Sequence, residues 1–293
     1  MNALVVLVYI LPFIYGEEWP LHNSAYGYLT RYAIPLGEKI RKAEEAYIAN
    51  GGNARIVGGV PSDLGRHPYQ VGIISDILDT NNMGVCGGSL ISANRVLTAA
   101  HCWFDGTHLA WRFTIVLGSV FLFSGGTRIQ SRNIALHPLW SPELLRNDIG
   151  VIYLPHDIQF SAYISPVALP SKEDEEESFS GIRAIASGYG ITADGQQMTI
   201  SQDLNHVQLT VIRNEVCAYY FPSVIQDSHL CTSSLGGASI CIGDTGGPLV
   251  IERNGQSTLI GVASFVSNHG CQKGIPASFT RVTSYLGFIK EHS

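Results

Sequence analysis

A chain of 293 residues with a formal net charge of −6 has room for one large or two small domains, and it offers no basic footprint for nucleic acid. Hydrophobic residues make up 45% and charged residues 14%, so a sizeable core can be buried and wholesale disorder is excluded. Thirty-one glycines and thirteen prolines, scattered along the chain, suit many short strands joined by turns.

Residues 1–16, MNALVVLVYILPFIYG, carry an apolar run from Ala3 to about Tyr15. That length suits a signal-peptide core and falls short of a membrane span, although only the terminal amine supplies positive charge in front of it. A buried N-terminal helix is the alternative. Nothing later resembles an uninterrupted membrane helix, so the chain without residues 1–16 is expected to be soluble, secreted and extracellular, with no membrane contact.

Residues 17–55 differ in character from the rest of the chain. LGEKIRKAEEAYIAN is composed of helix formers and sets Leu36, Ile40, Ala43 and Tyr47 near one face. NGGNAR then breaks the pattern with two adjacent glycines and a closing Arg55. Such a polar stretch can enter a protease cleft in extended form. The segment reads as a propeptide with its cleavage point between Arg55 and Ile56, against the alternative of an ordinary surface loop.

From Ile56 onward, short apolar stretches rich in β-branched and aromatic residues dominate: RFTIVLGSVFLF, NHVQLTVI and STLIGVASFV. SKEDEEES at 171–178 is a charge run of the kind found in solvated loops. Only the tail of this region, VTSYLGFIKEHS, reads as a helix, with Tyr285, Phe288 and Ile289 available to dock it. The fold class is all-β with a C-terminal helix.

Six cysteines, Cys86, Cys102, Cys217, Cys231, Cys241 and Cys271, fit an oxidising compartment. None of their spacings suits a zinc-ligand pair, so no metal is expected, and the fifteen possible pairings stay open at this level.

Three patterns carry chemistry. LTAAHCW sets His101 after an apolar strand, NDIGVIYL sets Asp148 before another, and SICIGDTGGPLV brings Thr245 into a glycine-rich loop. With RIVGG ahead of them, and SFVSNHGC and FTRV behind, the chain from Ile56 to Ser293 resembles the chymotrypsin-like serine proteases, the family of trypsin and elastase. The likeness implies a 56–293 domain of two perpendicular six-stranded β-barrels with the site in the cleft between them. It departs from the family at one letter: Thr245 stands where the reactive serine belongs.

The resemblance also implies roles. His101 would take the nucleophile's proton and return it to the leaving amine, and Asp148 would hold the imidazole tautomer, with Ser264 contacting that carboxylate. The backbone N–H groups of Gly243 and Thr245 would form the oxyanion hole. Cleavage after Arg55 by a trypsin-like protease would create an ammonium on Ile56 for Asp244 to bind. The family pattern implies the pairings Cys86–Cys102, Cys217–Cys231 and Cys241–Cys271.

Ser239 stands where a trypsin-like enzyme has aspartate. Val266 and Ala277 replace pocket glycines, an elastase-like arrangement that favours small aliphatic groups unless these side chains merely pack. Threonine keeps a hydroxyl, but its methyl restricts χ1, so turnover is expected to be weak or lost. The alternative is a working endopeptidase with Thr245 as nucleophile and a preference for small or apolar residues. The expected partner is a polypeptide substrate or a retained peptide. No cofactor is required, and a monomer is the default.

Overall fold

The computed structural model describes residues 23–50, 60–194 and 203–293; the expected signal segment and the Arg55–Ile56 junction lie outside them. The upstream segment becomes a π-helical turn over Leu29–Ala33 that runs into helix α1, Ile34–Ala49, with Pro35 in its first turn where no N–H is missed. Of the expected face, Leu36 and Ile40 are buried. Glu44, which apolar periodicity does not select, is buried beside them.

The β-branched stretches form two antiparallel sheets. The first contains β2 (Gln70–Ile77), β3 (Met83–Ser92), β4 (Arg95–Thr98), β5 (Ala110–Leu117), β6 (Thr127–Ser131), β7 (Asn133–Leu136) and β8 (Gly150–Tyr153). Its order is β6-β5-β2-β3-β4-β8-β7. The edge strands β6 and β7 are successive stretches of one segment interrupted at Arg132, so a single run of chain forms both edges.

The second sheet contains β1 (Val60–Pro61), β9 (Arg183–Gly188), β10 (Asn205–Ile212), β11 (His229–Thr232), β12 (Pro248–Arg253), β13 (Gln256–Phe265) and β14 (Ala277–Arg281). Its order is β1-β10-β11-β14-β13-β12-β9, and a further β9–β10 ladder closes β9 to β14 into a ring. The two barrel-like sheets of the expected fold are therefore present. Each contains seven strands rather than six, because β6 and β7 divide one segment and the two-residue β1 adds to the closed ring.

Three local expectations change. RFTIVLGSVFLF is a strand only to Leu117; Gly118, at φ 60°, turns the chain, and 119–123 is irregular. A short helix, α2 (Asn214–Tyr220), also lies before the tail, carrying Cys217 to its bridge with Cys231. The tail divides into a 3₁₀ turn, Val282–Tyr285, and helix α3, Leu286–Glu291. Tyr285 and Ile289 are buried there, and Phe288 packs against the same core.

Each sheet encloses its own apolar cluster. One is built from residues such as Val71, Ile73, Leu97, Phe113 and Val151; the other from Leu209, Leu230, Leu249, Ile260 and Phe279. Strand β2 is buried at seven of its eight positions, so both of its faces are covered, as a strand beneath a second layer must be. Part of that layer is α1, whose Leu36 and Ile40 join Ile74, Val85 and Val116.

Candidate active site

The strands deliver the candidate residues to one place. His101 sits in a 3₁₀ turn, Ala100–Cys102, directly after β4, and the Cys86–Cys102 disulfide ties that turn to β3. Asp148 precedes β8, the neighbour of β4 in the sheet, and Ser264 lies near the end of β13. Thr245 belongs to the loop before β12 and is stitched to β3 by the Gly87 N–H, which donates to its carbonyl at 2.6 Å.

His101 and Asp148 are almost completely buried, at 0% and 1% exposure. Asp148 Oδ2 lies 2.7 Å from His101 Nδ1 and accepts the Ser264 hydroxyl at 2.6 Å, while Oδ1 accepts the His101 backbone N–H at 3.0 Å. Burial pushes this carboxyl up, but the nearby imidazole and these donors outweigh it and hold the group below the ordinary aspartate range. An ionised Asp148 fixes the proton on Nδ1 and leaves Nε2 as the basic nitrogen. Nε2 is buried and has no hydrogen-bond partner among the described residues.

Thr245 is also buried, and the upstream segment enters the site beside His101. Tyr28 places its ring edge-on to the His101 imidazole, with centroids 5.0 Å apart, and its hydroxyl donates to the Val85 carbonyl at 3.0 Å. Burial pushes the phenol up. The nearby Thr245 side chain and Gly243 N–H pull the other way, so the phenol stands against the residues that the sequence assigns to the nucleophile and the oxyanion hole. Tyr28 itself is not legible as a site residue in the sequence, because its partners lie far along the chain.

Asp244, adjacent to Thr245, has an unusual environment. Its carboxylate accepts the Gly190 N–H at 2.9 Å and the Cys241 N–H at 2.9 Å. Burial raises its pKa to about 6, against the lowering effect of those two donors. The group faces a cavity of about 400 Å³ lined by Gly188, Ile191, His206, Ser239 and Ile240 among others.

The expected specificity residues are divided. Val266 and Ala277 pack together with the Cys241–Cys271 bridge. Ser239 instead borders the Asp244 cavity, its hydroxyl buried without a partner among the described residues. Ser264 is taken up by Asp148.

The expected disulfide pairs are all formed: Cys86–Cys102, Cys217–Cys231 and Cys241–Cys271. The metal-like grouping found among the described residues, Asp194 with Cys241 and Cys271, has both sulfurs committed to a bridge. Its carboxylate is occupied by the N–H groups of Cys271 and Gln272, at 2.7 and 2.8 Å. No described helix is long and apolar enough to cross a membrane.

Comparison with known proteins gives a consistent result. The family model described as Trypsin matches residues 56–289. The chain is 35% identical over 267 residues to Collagenase from Hypoderma lineatum, spanning 91% of this chain and 98% of that protein. It is 34% identical over 240 residues to Brachyurin from Leptuca pugilator, with 80% and 97% covered. The solved structure of HL collagenase superposes with a TM-score of 0.72 at 36% identity, covering 81% of this chain and 98% of that one. The first of these alignments is longer than the stretch from Ile56 to Ser293, so that likeness runs back into the upstream segment.

Proposed function

The chain belongs to the trypsin family of serine proteases, and on that premise we propose that it is the secreted precursor of a peptide-bond hydrolase that turns over slowly because its nucleophile is Thr245. Residues 1–16 serve as the signal peptide, 17–55 as the propeptide and 56–293 as the peptidase domain. The observation that carries this reading is the unbroken Ser264–Asp148–His101 chain of hydrogen bonds beside a buried Thr245 hydroxyl.

In the processed form, His101 Nε2 takes the proton of the Thr245 hydroxyl as its oxygen attacks the peptide carbonyl. Asp148 holds the resulting imidazolium, and the same proton then passes to the departing amine. The N–H groups of Gly243 and Thr245 hold the tetrahedral oxyanion, a contribution of about 10²–10³ in rate that a change of side chain leaves in place. The methyl of Thr245 narrows χ1, and a displacement of about 1 Å in the attacking oxygen costs on the order of 10²-fold.

Asp244 supports the precursor half of the proposal. A buried carboxylate that accepts two backbone N–H groups, with no cation beside it among the described residues, at the wall of a cavity, is suited to receive one. The ammonium created on Ile56 by a trypsin-like cut after Arg55 fits it by charge. Ser239, Ser264, Val266 and Ala277 would shape the substrate pocket, with a preference for small or apolar side chains.

A second reading, an endopeptidase of ordinary rate, is favoured by one observation: His101 Nε2 has no hydrogen-bond partner among the described residues and is available to the Thr245 hydroxyl. The test is a fluorophosphonate probe applied to protein cut after Arg55, with mass mapping and a kinetic assay on small-aliphatic peptide substrates. Label on Thr245 that His101→Ala abolishes, with turnover raised roughly 10²-fold by Thr245→Ser, is the expected result. Equal rates for Thr245 and its serine variant would favour the second reading. Silence in both would remove the hydrolase from either.

A further inference from the structure

The upstream segment lies along the cleft. Asn23 forms an antiparallel bridge with Ser267, the Ser24 N–H donates to the Val266 carbonyl at 3.2 Å, and the Val266 N–H donates to the Ser24 hydroxyl at 3.1 Å. This is strand addition at the edge beyond β13, a common way for a protein to hold an extended peptide. The next turn is seated on Asp105, which is fully buried. Its carboxylate accepts the Leu29 N–H at 2.7 Å and its carbonyl accepts the Gly27 N–H at 3.0 Å. Between those two anchors Tyr28 enters the cleft, its ring edge-on to His101 and its hydroxyl donating to the Val85 carbonyl.

Helix α1 extends the contact. Leu36 reaches Gly243 so closely that a Cβ on that glycine would meet it at 2.5 Å. Gly37 lets the helix backbone approach β3, where a Cβ would stand 2.8 Å from the Met83 carbonyl. At the far end, buried Glu44 accepts the N–H groups of Leu122 and Phe123, at 2.7 and 2.9 Å, and the Ser124 hydroxyl at 3.0 Å. The helix is thus fixed at this end by a buried carboxylate that satisfies three donors of a separate loop through charge-assisted hydrogen bonds.

We propose that residues 23–49 are a peptide ligand of the catalytic cleft, that they silence it by occupying the position of substrate, and that they stay bound without a covalent tie after the chain is cut between residues 50 and 60. The proposal rests on the peptidase reading. None of these contacts involves the cut stretch, so cleavage alone removes none of them. The upstream segment contains no cysteine, so no disulfide holds it. Activity then requires two events, the cut and the departure of the ligand.

The experiment uses the whole protein, as wild type and as Thr245→Ser, cut by trypsin and verified by the new Ile56 N-terminus. Size-exclusion chromatography and native mass spectrometry at micromolar protein should find the 17–55 piece travelling with the body. Fluorophosphonate labelling of cut Thr245→Ser should be slow at that concentration. On dilution to nanomolar protein, or in cut Tyr28→Ala, it should rise roughly tenfold or more, because the occupancy of an untethered ligand falls as its concentration nears its dissociation constant or as its binding is weakened. Tyr28→Phe, which keeps the ring on His101 but removes the phenol bonds, should give an intermediate rate.

Elution of the upstream piece apart from a folded body at micromolar protein would overturn the proposal. Labelling that rises in step with the cut while both pieces still travel together would overturn it equally. A failure of the peptidase reading looks different: labelling would remain absent after the upstream piece had been removed, and the silencing role would fall with it.

Discussion

Replacing Asp244 with asparagine tests the reading of this residue as a carboxylate waiting for a cation. In the uncut chain, burial raises its pKa from 3.8 to about 6, while the Cys241 and Gly190 N–H groups pull the other way. A folded-state pKa above the unfolded value means that the folded chain holds its proton more tightly. Stability is therefore fully present below about pH 4, declines as the unfolded carboxyl ionises first, and is lost once pH passes about 6. The gap corresponds to about 3 kcal/mol at neutral pH. Asp244→Asn removes this titration. It also presents an amide nitrogen to one of two backbone donors, a loss of about 1 kcal/mol at any pH. The uncut variant should therefore be about 1 kcal/mol less stable than the parent near pH 4 and about 2 kcal/mol more stable near pH 7.5. Urea unfolding followed by tryptophan fluorescence at both pH values measures the difference. Stability curves of parent and variant that run parallel from pH 4 to 7.5 would refute the reasoning. After cleavage the sign should reverse, since the variant then leaves the Ile56 ammonium without its partner.

Asp148→Asn should preserve the fold but let the imidazole adopt the wrong tautomer, lowering probe labelling of the processed protein by on the order of 10⁴. The pH profile of labelling, compared with that of Thr245→Ser, checks this. Glu44→Ala leaves the Leu122 and Phe123 N–H groups without an acceptor and should cost the uncut chain roughly 2–4 kcal/mol, read from the urea midpoint, with Glu44→Gln recovering part of it. Converting both Cys86 and Cys102 to serine opens a loop of sequence separation 16 and should lower stability by about 3 kcal/mol, again by urea unfolding.

What the sequence made legible was local in kind. Strand chemistry, the cysteine set and the short runs around His101, Asp148 and Thr245 sit in contiguous letters, and the family resemblance converts them into barrels and bridges. The face of α1 was half legible: Leu36 and Ile40 announce themselves by spacing, while Glu44 does not, because its partners are 78 to 80 residues away. Tyr28 is further out of reach. Nothing in YGYLTRY distinguishes a core tyrosine from one that fills a catalytic cleft, and its partner Val85 is 57 residues distant. Asp105 reads as an ordinary turn aspartate, as its bonds to Thr107 and His108 are, until Leu29 arrives on its second oxygen. Ser239 sits where the family motif puts it in the chain, but the wall it belongs to also borders the Asp244 cavity, a matter of how the neighbouring loop folds before any cut.

The two controls on this site meet at consecutive residues. Leu36 bears on Gly243 while Tyr28 lies on His101, and the cavity bears on Asp244. One cut acts on both, in different ways. While the chain is whole, the short stretch between α1 and β1 holds the ligand at an effective concentration in the millimolar range. A segment with nanomolar intrinsic affinity then occupies the cleft about a million times more often than it leaves it. Cutting supplies the cation for Asp244 at once, but it changes the ligand's occupancy only through the prevailing protein concentration. On the proposed scheme, a cut chain would remain filled in a concentrated store and open after dilution. The binding loop would then be ordered before the cleft is emptied, and a competent site would arise only where the protein has been both processed and dispersed.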